Sequence, residues 1–258
     1  MNTTPTNRIS NEDIESNQWI SIHHETEKDY WWFILKRELI LHLANKVLPP
    51  PGTVLEVGCG GGKLSYELQQ SGYQVVSTDF EPSAVKFTKE LGILKTFVSH
   101  SGEGIPLQAE SIDMIIMTDV LEHIYNHQLA INECKRVLRN KGFLIMTVPA
   151  FPCLFSSWDR WNHHFRRYTK KQLKTLAHQA HFHIKKLSFW NIPGIPFAIL
   201  RKIIDVFNPL QTYQGFPPVP RMVEVPLKVL VSLENKWIQK CSLPIGLSLV
   251  CIFQKQTL

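Results

Sequence analysis

The chain has 258 residues, a formal net charge of +6 and 44% hydrophobic content, which is enough for one well-buried core with a lid or extension rather than two independent domains. Its five cysteines, odd in number and with no CxxC pair, exclude a disulfide framework and a cysteine zinc site, and they suit a reducing cytoplasm. The polar start at Met1 to Thr6 lacks an apolar signal region and no run reaches the length of a membrane span, so neither a secretory signal nor a transmembrane segment is expected. Charge is divided unevenly, with 15 Lys/Arg against 4 Asp/Glu in residues 151–258 and 13 against 18 in residues 1–150. The basic half is expected to face something anionic: a phosphorylated substrate, a lipid headgroup surface or nucleic acid. A plain solvated basic surface stands equally open.

Residues 1–18 read as disordered. The aromatic cluster Tyr30-Trp31-Trp32-Phe33 then leads through Arg37 into an amphipathic helix ending near Val47, which Pro49-Pro50-Pro51-Gly52 stops. Val54–Val57 is a strand that runs into Gly58, Gly60 and Gly62, with a helix opening at Lys63. Glycines there let the backbone approach a bound molecule, and Glu56 adds a carboxylate. Gln74–Asp79 is the second strand. Its terminal acid lies 21 residues past Gly58, the offset at which a carboxylate takes both hydroxyls of a ribose. Pro82 opens a helix to about Leu91, and Thr96–Val98 is a short third strand. Ile112–Asp119 has the continuous apolar run of a central parallel strand. Helix His127–Val137 and strand Phe143–Val148 complete a right-handed crossover. Thr169 and Gln172 form a capping box for helix Lys170–Ala180. Phe182–Phe189 and Leu247–Phe253 supply the last two of seven strands, with Pro193–Leu243 inserted between them. The amphipathic pieces Ile195–Phe207 and Val225–Trp237 make that insertion a lid, a dimer face or an interfacial element.

The glycine turn decides among ligand classes. A dinucleotide fingerprint needs glycine where Lys63 stands, and a P-loop needs glycine at Val57 and a hydroxyl at Leu64. The remaining pattern, E-x-G-x-G-x-G, resembles motif I of the class I S-adenosylmethionine-dependent methyltransferases. Val120-Leu121-Glu122-His123 resembles motif IV of the ubiquinone-pathway-like members, and Tyr-Trp-Trp-Phe followed by a basic residue is similar to a flap that closes over their cofactor. The resemblance covers Tyr30 to Tyr168 well and the remainder loosely.

It implies an α/β, Rossmann-like, seven-stranded, mainly parallel sheet with helices on both faces, an N-terminal aromatic flap and a C-terminal helical insertion. The expected layout is a tail and flap over 1–35, the cofactor-binding core over 36–190, the insertion over 191–246 and a final core strand over 247–258. The implied cofactor is S-adenosyl-L-methionine, held by Glu56, Gly58, Cys59, Gly60, Gly62, Asp79, Phe80, Thr118, Asp119, Val120 and His123. Where the family often has an aspartate for adenine, this chain has Ser101-Gly102-Glu103, so these residues or backbone groups are expected there. Trp31, Trp32, Arg37 and Arg167 are expected on the substrate.

The loop Trp158–Tyr168 is similar to the family's substrate-facing His-x-Arg-x-Tyr loops. It offers His163 and His164 as general bases, with Tyr168 beside them. Some relatives hold a divalent ion with an acid-x-x-Glu-His set and a later histidine. Here, beside Asp119, Glu122 and His123 are read instead as opening the next helix and orienting the cofactor loop, and no metal is expected. The implied activity is methyl transfer to a hydroxyl, amine or carbon of a small-molecule or lipid-like acceptor, anionic in one version, by a cytoplasmic protein with peripheral membrane contact open to it. A nucleic-acid methyltransferase is an alternative, which the lack of an Asn-Pro-Pro-Tyr-type tetrapeptide disfavours. A non-catalytic cofactor-binding module is another.

Overall fold

The computed structural model describes residues 21–22, 24–99, 104–208, 216 and 218–256. The expected disorder of residues 1–18 lies outside these. The strands are β1 Thr53–Val57, β2 Gln74–Asp79, β3 Thr96–Val98, β4 Ile112–Thr118, β5 Leu138–Pro149, β6 Phe182–Trp190 and β7 Ser248–Lys255. The helices that concern the site are α1 Trp31–Val47, α2 Lys63–Gln70, α3 Pro82–Glu90, α4 His127–Val137, α5 Ser157–Trp161, α6 Lys170–Gln179, α7 Ile195–Phe207 and α8 Arg221–Ile238. Residues 24–29 are also helical and lead into α1.

The strands form one seven-stranded sheet in the order β3-β2-β1-β4-β5-β7-β6. β1, β2, β3, β4 and β5 pair in parallel, while β7 runs antiparallel between β5 and β6. From β1 the chain builds outward through β2 and β3, then returns to add β4 on the other side. The gap between β1 and β4 is therefore a topological switch point, where open α/β sheets bind ligands. Val57 pairs with Thr78 and with Met117, so the turn after β1, Asp79 and Asp119 all emerge at one carboxyl edge.

Alternation on the central strands feeds two cores. Leu55, Ile115 and Met117 pack with Ile131 of α4 and Leu173 of α6 on one face. Val54, Met114 and Ile116 pack with Leu39 and Ile40 of α1, Leu68 of α2 and Val231 of α8 on the other. Both sets are buried, as continuous apolar parallel strands require. α1 runs unbroken through 35 and 36, so the aromatic flap is the first turn of a core helix and not a separate unit.

Two elements are longer than the sequence pattern predicts. β5 begins at Leu138, directly after α4, because Leu138 pairs with Ile112 across a register shift before Gly142. α8 begins at Arg221 and includes Pro226. Packing of its Leu227, Val231 and Ile238 in the α1-side core, and the Asn235 side chain donating to the Leu35 carbonyl at 2.8 Å, hold it despite the missing amide. The Thr169–Gln172 capping box forms on both sides, with Gln172 N donating to Thr169 Oγ1 at 3.2 Å and Thr169 N to Gln172 Oε1 at 2.9 Å.

Candidate active site

A cavity of about 1010 Å³ opens at the carboxyl edge, walled by the glycine turn, α1, the loop after β5, and α7 and α8. Its floor is set by what the glycines exclude. At Gly58 (φ +75°) a Cβ would come within 2.3 Å of Val120 Cγ2, and at Gly62 (φ +77°) within 2.8 Å of the Thr88 backbone. These two glycines admit protein neighbours, and Gly62 does not reach the cavity, contrary to the reading that all three face a ligand. Gly58, Cys59, Gly60 and Gly61 line the cavity.

Asp79 braces this turn. Its Oδ2 accepts from Gly60 N at 2.9 Å and its Oδ1 from Glu81 N at 3.0 Å. The Phe80 amide also donates to this carboxylate, which leaves it acceptor capacity for one further donor. Burial lifts the Asp79 pKa, against the pull of those amides. Phe80, half exposed, stands beside it on the wall. Glu56 is fully buried, accepts from the Ser65 hydroxyl, and is pushed up to about 8 by burial. Cys59 turns its sulfur onto the Thr88 hydroxyl at 3.3 Å, and burial pushes its thiol up as well. Ser101, Gly102 and Glu103 lie outside the described residues.

From above, the N-terminal segment closes on the turn. Glu27 Oε2 accepts from Gly61 N at 2.9 Å, and burial raises the Glu27 pKa. His24 stacks on Phe87 with ring centroids 4.0 Å apart. Arg37, expected on the substrate, spends its guanidinium on Glu67 Oε1 at 3.0 Å and on the Glu27 carbonyl at 2.6 Å. Lys36 donates to Asp119 Oδ2 at 2.6 Å and lies 3.9 Å from the Trp32 ring centroid. Thr147 Oγ1 donates to Asp119 Oδ1 at 3.0 Å. Asp119 thus borders the cavity with its carboxylate engaged by protein. Thr118, Val120 and His123 also line the wall, as do Trp31 and Trp32, although Trp31 is chiefly a core residue.

The loop after β5 supplies the acid–base groups. His164 Nδ1 is 3.0 Å from Asp159 Oδ1, and Nε2 is 4.0 Å from Glu122 Oε1. Asp159 is buried in a capping box with Ser156, and its Oδ1 also accepts from Arg167 Nε at 2.8 Å. Burial alone would raise Asp159, but His164 and Arg167 hold it below its ordinary value. His163 sits at the rim, exposed, with φ +57°. Tyr168 is a correction: it is fully buried and lies outside the cavity, its hydroxyl donating to the Leu121 carbonyl at 3.1 Å and lying 3.0 Å from His127 Nδ1. It braces the loop from behind. Arg167 borders the cavity but is committed to Asp159 and, at 3.3 Å, to the Ala150 carbonyl.

Glu122 is fully buried, both its oxygens lack a hydrogen-bond partner among the described residues, and burial followed by the neighbouring Asp119 pushes its pKa well up. With His123 and His164 it offers three ligand atoms within 4.8 Å of one another. At zinc bond lengths of about 2.0–2.2 Å, neighbouring tetrahedral ligands sit closer than the 4.0 Å between His164 and Glu122. The cluster as placed is looser than a closed metal tetrahedron.

The remaining part of the cavity is aromatic. Phe216 lies 5.1 Å from Trp158, 5.2 Å from Phe33 and 5.4 Å from Tyr30, centroid to centroid. Sequence reasoning missed Glu27, Lys36, Asp159 and Phe216. Only Asp159 had a local signal, the Ser156-x-x-Asp159 pattern of a capping box.

Residues 55–146 match the family model described as a methyltransferase domain. A ubiquinone biosynthesis O-methyltransferase of Xanthomonas axonopodis pv. citri is 32% identical over 141 residues, which cover 49% of this chain and 59% of that one. The enzyme of the same name from Agrobacterium fabrum is 34% identical over 101 residues, 35% of this chain and 38% of that one. The chain thus spans less than two thirds of either relative. Among solved structures, an S-adenosylmethionine-dependent methyltransferase from Methanosarcina mazei superposes with a TM-score of 0.57 at 17% identity, covering 84% of this chain and 98% of that one. The chain has the fold of this S-adenosylmethionine-dependent methyltransferase structure, and the methyltransferase-domain match falls on its central strands β1 to β5.

Proposed function

We propose that the protein transfers the methyl group of S-adenosylmethionine to a hydroxyl of a small acceptor with an apolar, lipid-like body. The observation that carries this reading is one continuous cavity that joins the braced Gly60–Asp79 turn to an oriented His164 and an aromatic chamber. The residues fit the cofactor. Asp79 keeps acceptor capacity for a ribose hydroxyl, Phe80 offers a face to the base, and the half-buried Glu27 carboxylate suits the ammonium of the amino-acid end. When bound, S-adenosylmethionine supplies an electrophilic methyl on a sulfonium.

The chain's own work is positioning and proton removal. Holding two reactants in line supplies about 7–11 kcal/mol of a barrier. Asp159 accepts from His164 Nδ1–H, which leaves Nε2 as the basic nitrogen facing the cavity. A phenol-like or aliphatic hydroxyl laid against it gives up its proton there, while the aromatic chamber around Trp158 and Phe216 takes the acceptor's apolar portion. The acceptor is read as a hydroxyl because of the oriented base and the O-methyltransferase names of the relatives. The nucleic-acid alternative is disfavoured by a largely aromatic and apolar chamber that several of the nearby cations do not reach free, Lys36 and Arg167 being paired.

The test is calorimetric titration with S-adenosylhomocysteine, followed by transfer of labelled methyl from S-adenosylmethionine to a panel of hydroxylated aromatic and prenylated acceptors. The expected result is cofactor binding and labelling that needs His164. Binding without labelling of any acceptor would leave a cofactor-binding module and remove the catalytic reading.

A further inference from the structure

α7 is amphipathic in the inverted sense, and α8 is apolar on its outer side as well as its inner one. On α7 the polar side chains face the protein: Asp205 is buried and accepts from the Ser157 amide and hydroxyl, Lys202 donates to the Phe155 carbonyl, and Arg201 lies over the Trp158 ring at 4.3 Å. Its apolar side chains face out, with Leu200, Ile203 and Val206 half or more exposed and Phe207 at 83%. α8 packs Leu227, Val231 and Ile238 into the core and turns two polar side chains inward beside them. Glu234 is buried and accepts from Asn191 N at 2.8 Å, and Asn235 is buried and accepts from Trp190 Nε1 at 2.9 Å. Val225, Val229, Leu230, Leu233 and Trp237 all stand about half exposed or more. A helix that covers a domain in water does the reverse, and contiguous apolar faces of this kind mark interaction surfaces.

The surroundings name the partner. Arg221 and Lys236 stand on α8 and Lys240 follows it, within the half of the chain that carries 15 Lys/Arg against 4 Asp/Glu, while Lys228 is paired with Glu224. Among the described residues no helix is long and apolar enough to cross a membrane. An apolar face, a rim of cations and a tryptophan near the end of α8 are the features of helices that lie in a bilayer interface. The same helices wall the cavity: Phe197 and Ala198 of α7 and Leu227 of α8 line it, and Phe197 is itself 52% exposed.

We propose that α7 and α8 dock the protein on an anionic phospholipid bilayer, with their outward apolar side chains below the headgroups and the cavity mouth against the lipid. Docking rests on this surface and not on the methyl-transfer reading, so it is measured without cofactor.

The experiment is co-sedimentation of the full chain with vesicles of phosphatidylcholine alone and of phosphatidylcholine mixed with phosphatidylglycerol, at rising salt. Expected is binding to the anionic vesicles, weaker by about tenfold on neutral ones and falling with salt, since each cation near such a surface contributes about 1 kcal/mol. The exposed pair Phe207→Glu and Leu230→Glu is expected to lose binding by at least about tenfold, with S-adenosylhomocysteine titration and thermal unfolding unchanged. Wild-type protein left in the supernatant with both vesicles overturns the proposal, and so does a variant that binds like wild type. A dimer in sedimentation velocity that the same pair dissociates, with no vesicle binding, assigns the face to a second copy and also overturns it.

Discussion

Lys36 Nζ lies 2.6 Å from Asp119 Oδ2, joining α1 to the end of β4 across 83 residues of sequence. Both residues border the cavity, and Lys36 is additionally laid over the Trp32 ring. The pair holds the roof of the site to its floor. Removing Lys36 leaves the part-buried Asp119 carboxylate without its counter-ion, at a cost of about 1–3 kcal/mol. Lys36→Met is therefore expected to destabilise the protein by about 2 kcal/mol in urea denaturation. Adding Asp119→Asn, which tolerates the left-handed backbone there (φ +53°), should recover part of that loss. Additive single effects would show that the pair is not coupled.

Glu27 meets Gly61 N at 2.9 Å and is raised by burial. If its carboxylate receives the ammonium of the cofactor, Glu27→Gln weakens S-adenosylhomocysteine binding by about tenfold, the scale of a charge-assisted hydrogen bond. Wild-type affinity should fall as pH drops below the raised Glu27 pKa, because the protonated acid loses its charge. The glutamine variant should be flatter over that range, and calorimetry at several pH values decides.

Asp79 serves the turn and the ligand together. Asp79→Ala removes the acceptors for Gly60 N and Glu81 N as well as the site offered to ribose. A loss of S-adenosylhomocysteine affinity of at least about tenfold is expected, from one charge-assisted bond. Unchanged affinity would show that the nucleoside does not sit against β2.

His164 and His163 should separate cleanly. His164 is oriented by Asp159 and His163 is exposed at the rim. His164→Ala is expected to lower kcat by about 10²–10⁴ with cofactor affinity unchanged, and Asp159→Asn to follow it in the same direction. His163→Ala should change turnover by only a few-fold, on the order of a peripheral contact. Single-turnover kinetics with saturating cofactor reads the difference.

Glu56 sets a pH signature on stability. Its folded-state pKa of about 8 lies above the ordinary 4.5, so the native state holds a proton that the unfolded chain releases. Its contribution is fully present below about pH 4.5 and is lost as pH rises through about 8. The buried Glu122 acts with the same sign. Glu56→Gln, which keeps a neutral side chain at Ser65, should flatten the fall in Tm between these pH values. A variant whose Tm falls as steeply as wild type would refute the assignment.

What the sequence shows depends on how far apart the partners are. The β1 strand, the glycine turn and Asp79 were readable because strand period, turn chemistry and spacing are local properties, and the capping box at Thr169 and Gln172 is more local still. Lys36 on Asp119 and Glu27 on Gly61 are contacts that no window of sequence contains. Tyr168 reads as a site residue in the sequence because a tyrosine that braces a loop and one that faces a ligand are the same letter. Its burial behind Leu121 decides between them. The apolar periodicity of α7 and α8 was plain, but a hydrophobic stripe has the same period whichever way it points. Only Asp205, buried against Ser157, shows that the polar side of α7 is the inner one, and α8 buries Glu234 against Asn191 beside its apolar Leu227 and Val231.

The place of β7 bears on how the protein is made. It fits between β5 and β6, yet it comes 99 residues after Pro149 ends β5. During translation the backbone edge of β5 emerges from the ribosome long before its neighbour, and β6 has no strand to join. An unpaired edge of that kind is where nascent chains stick to one another. The strand order leaves that side of β5 open until Ser248–Lys255 has been synthesised and can slot in beside it.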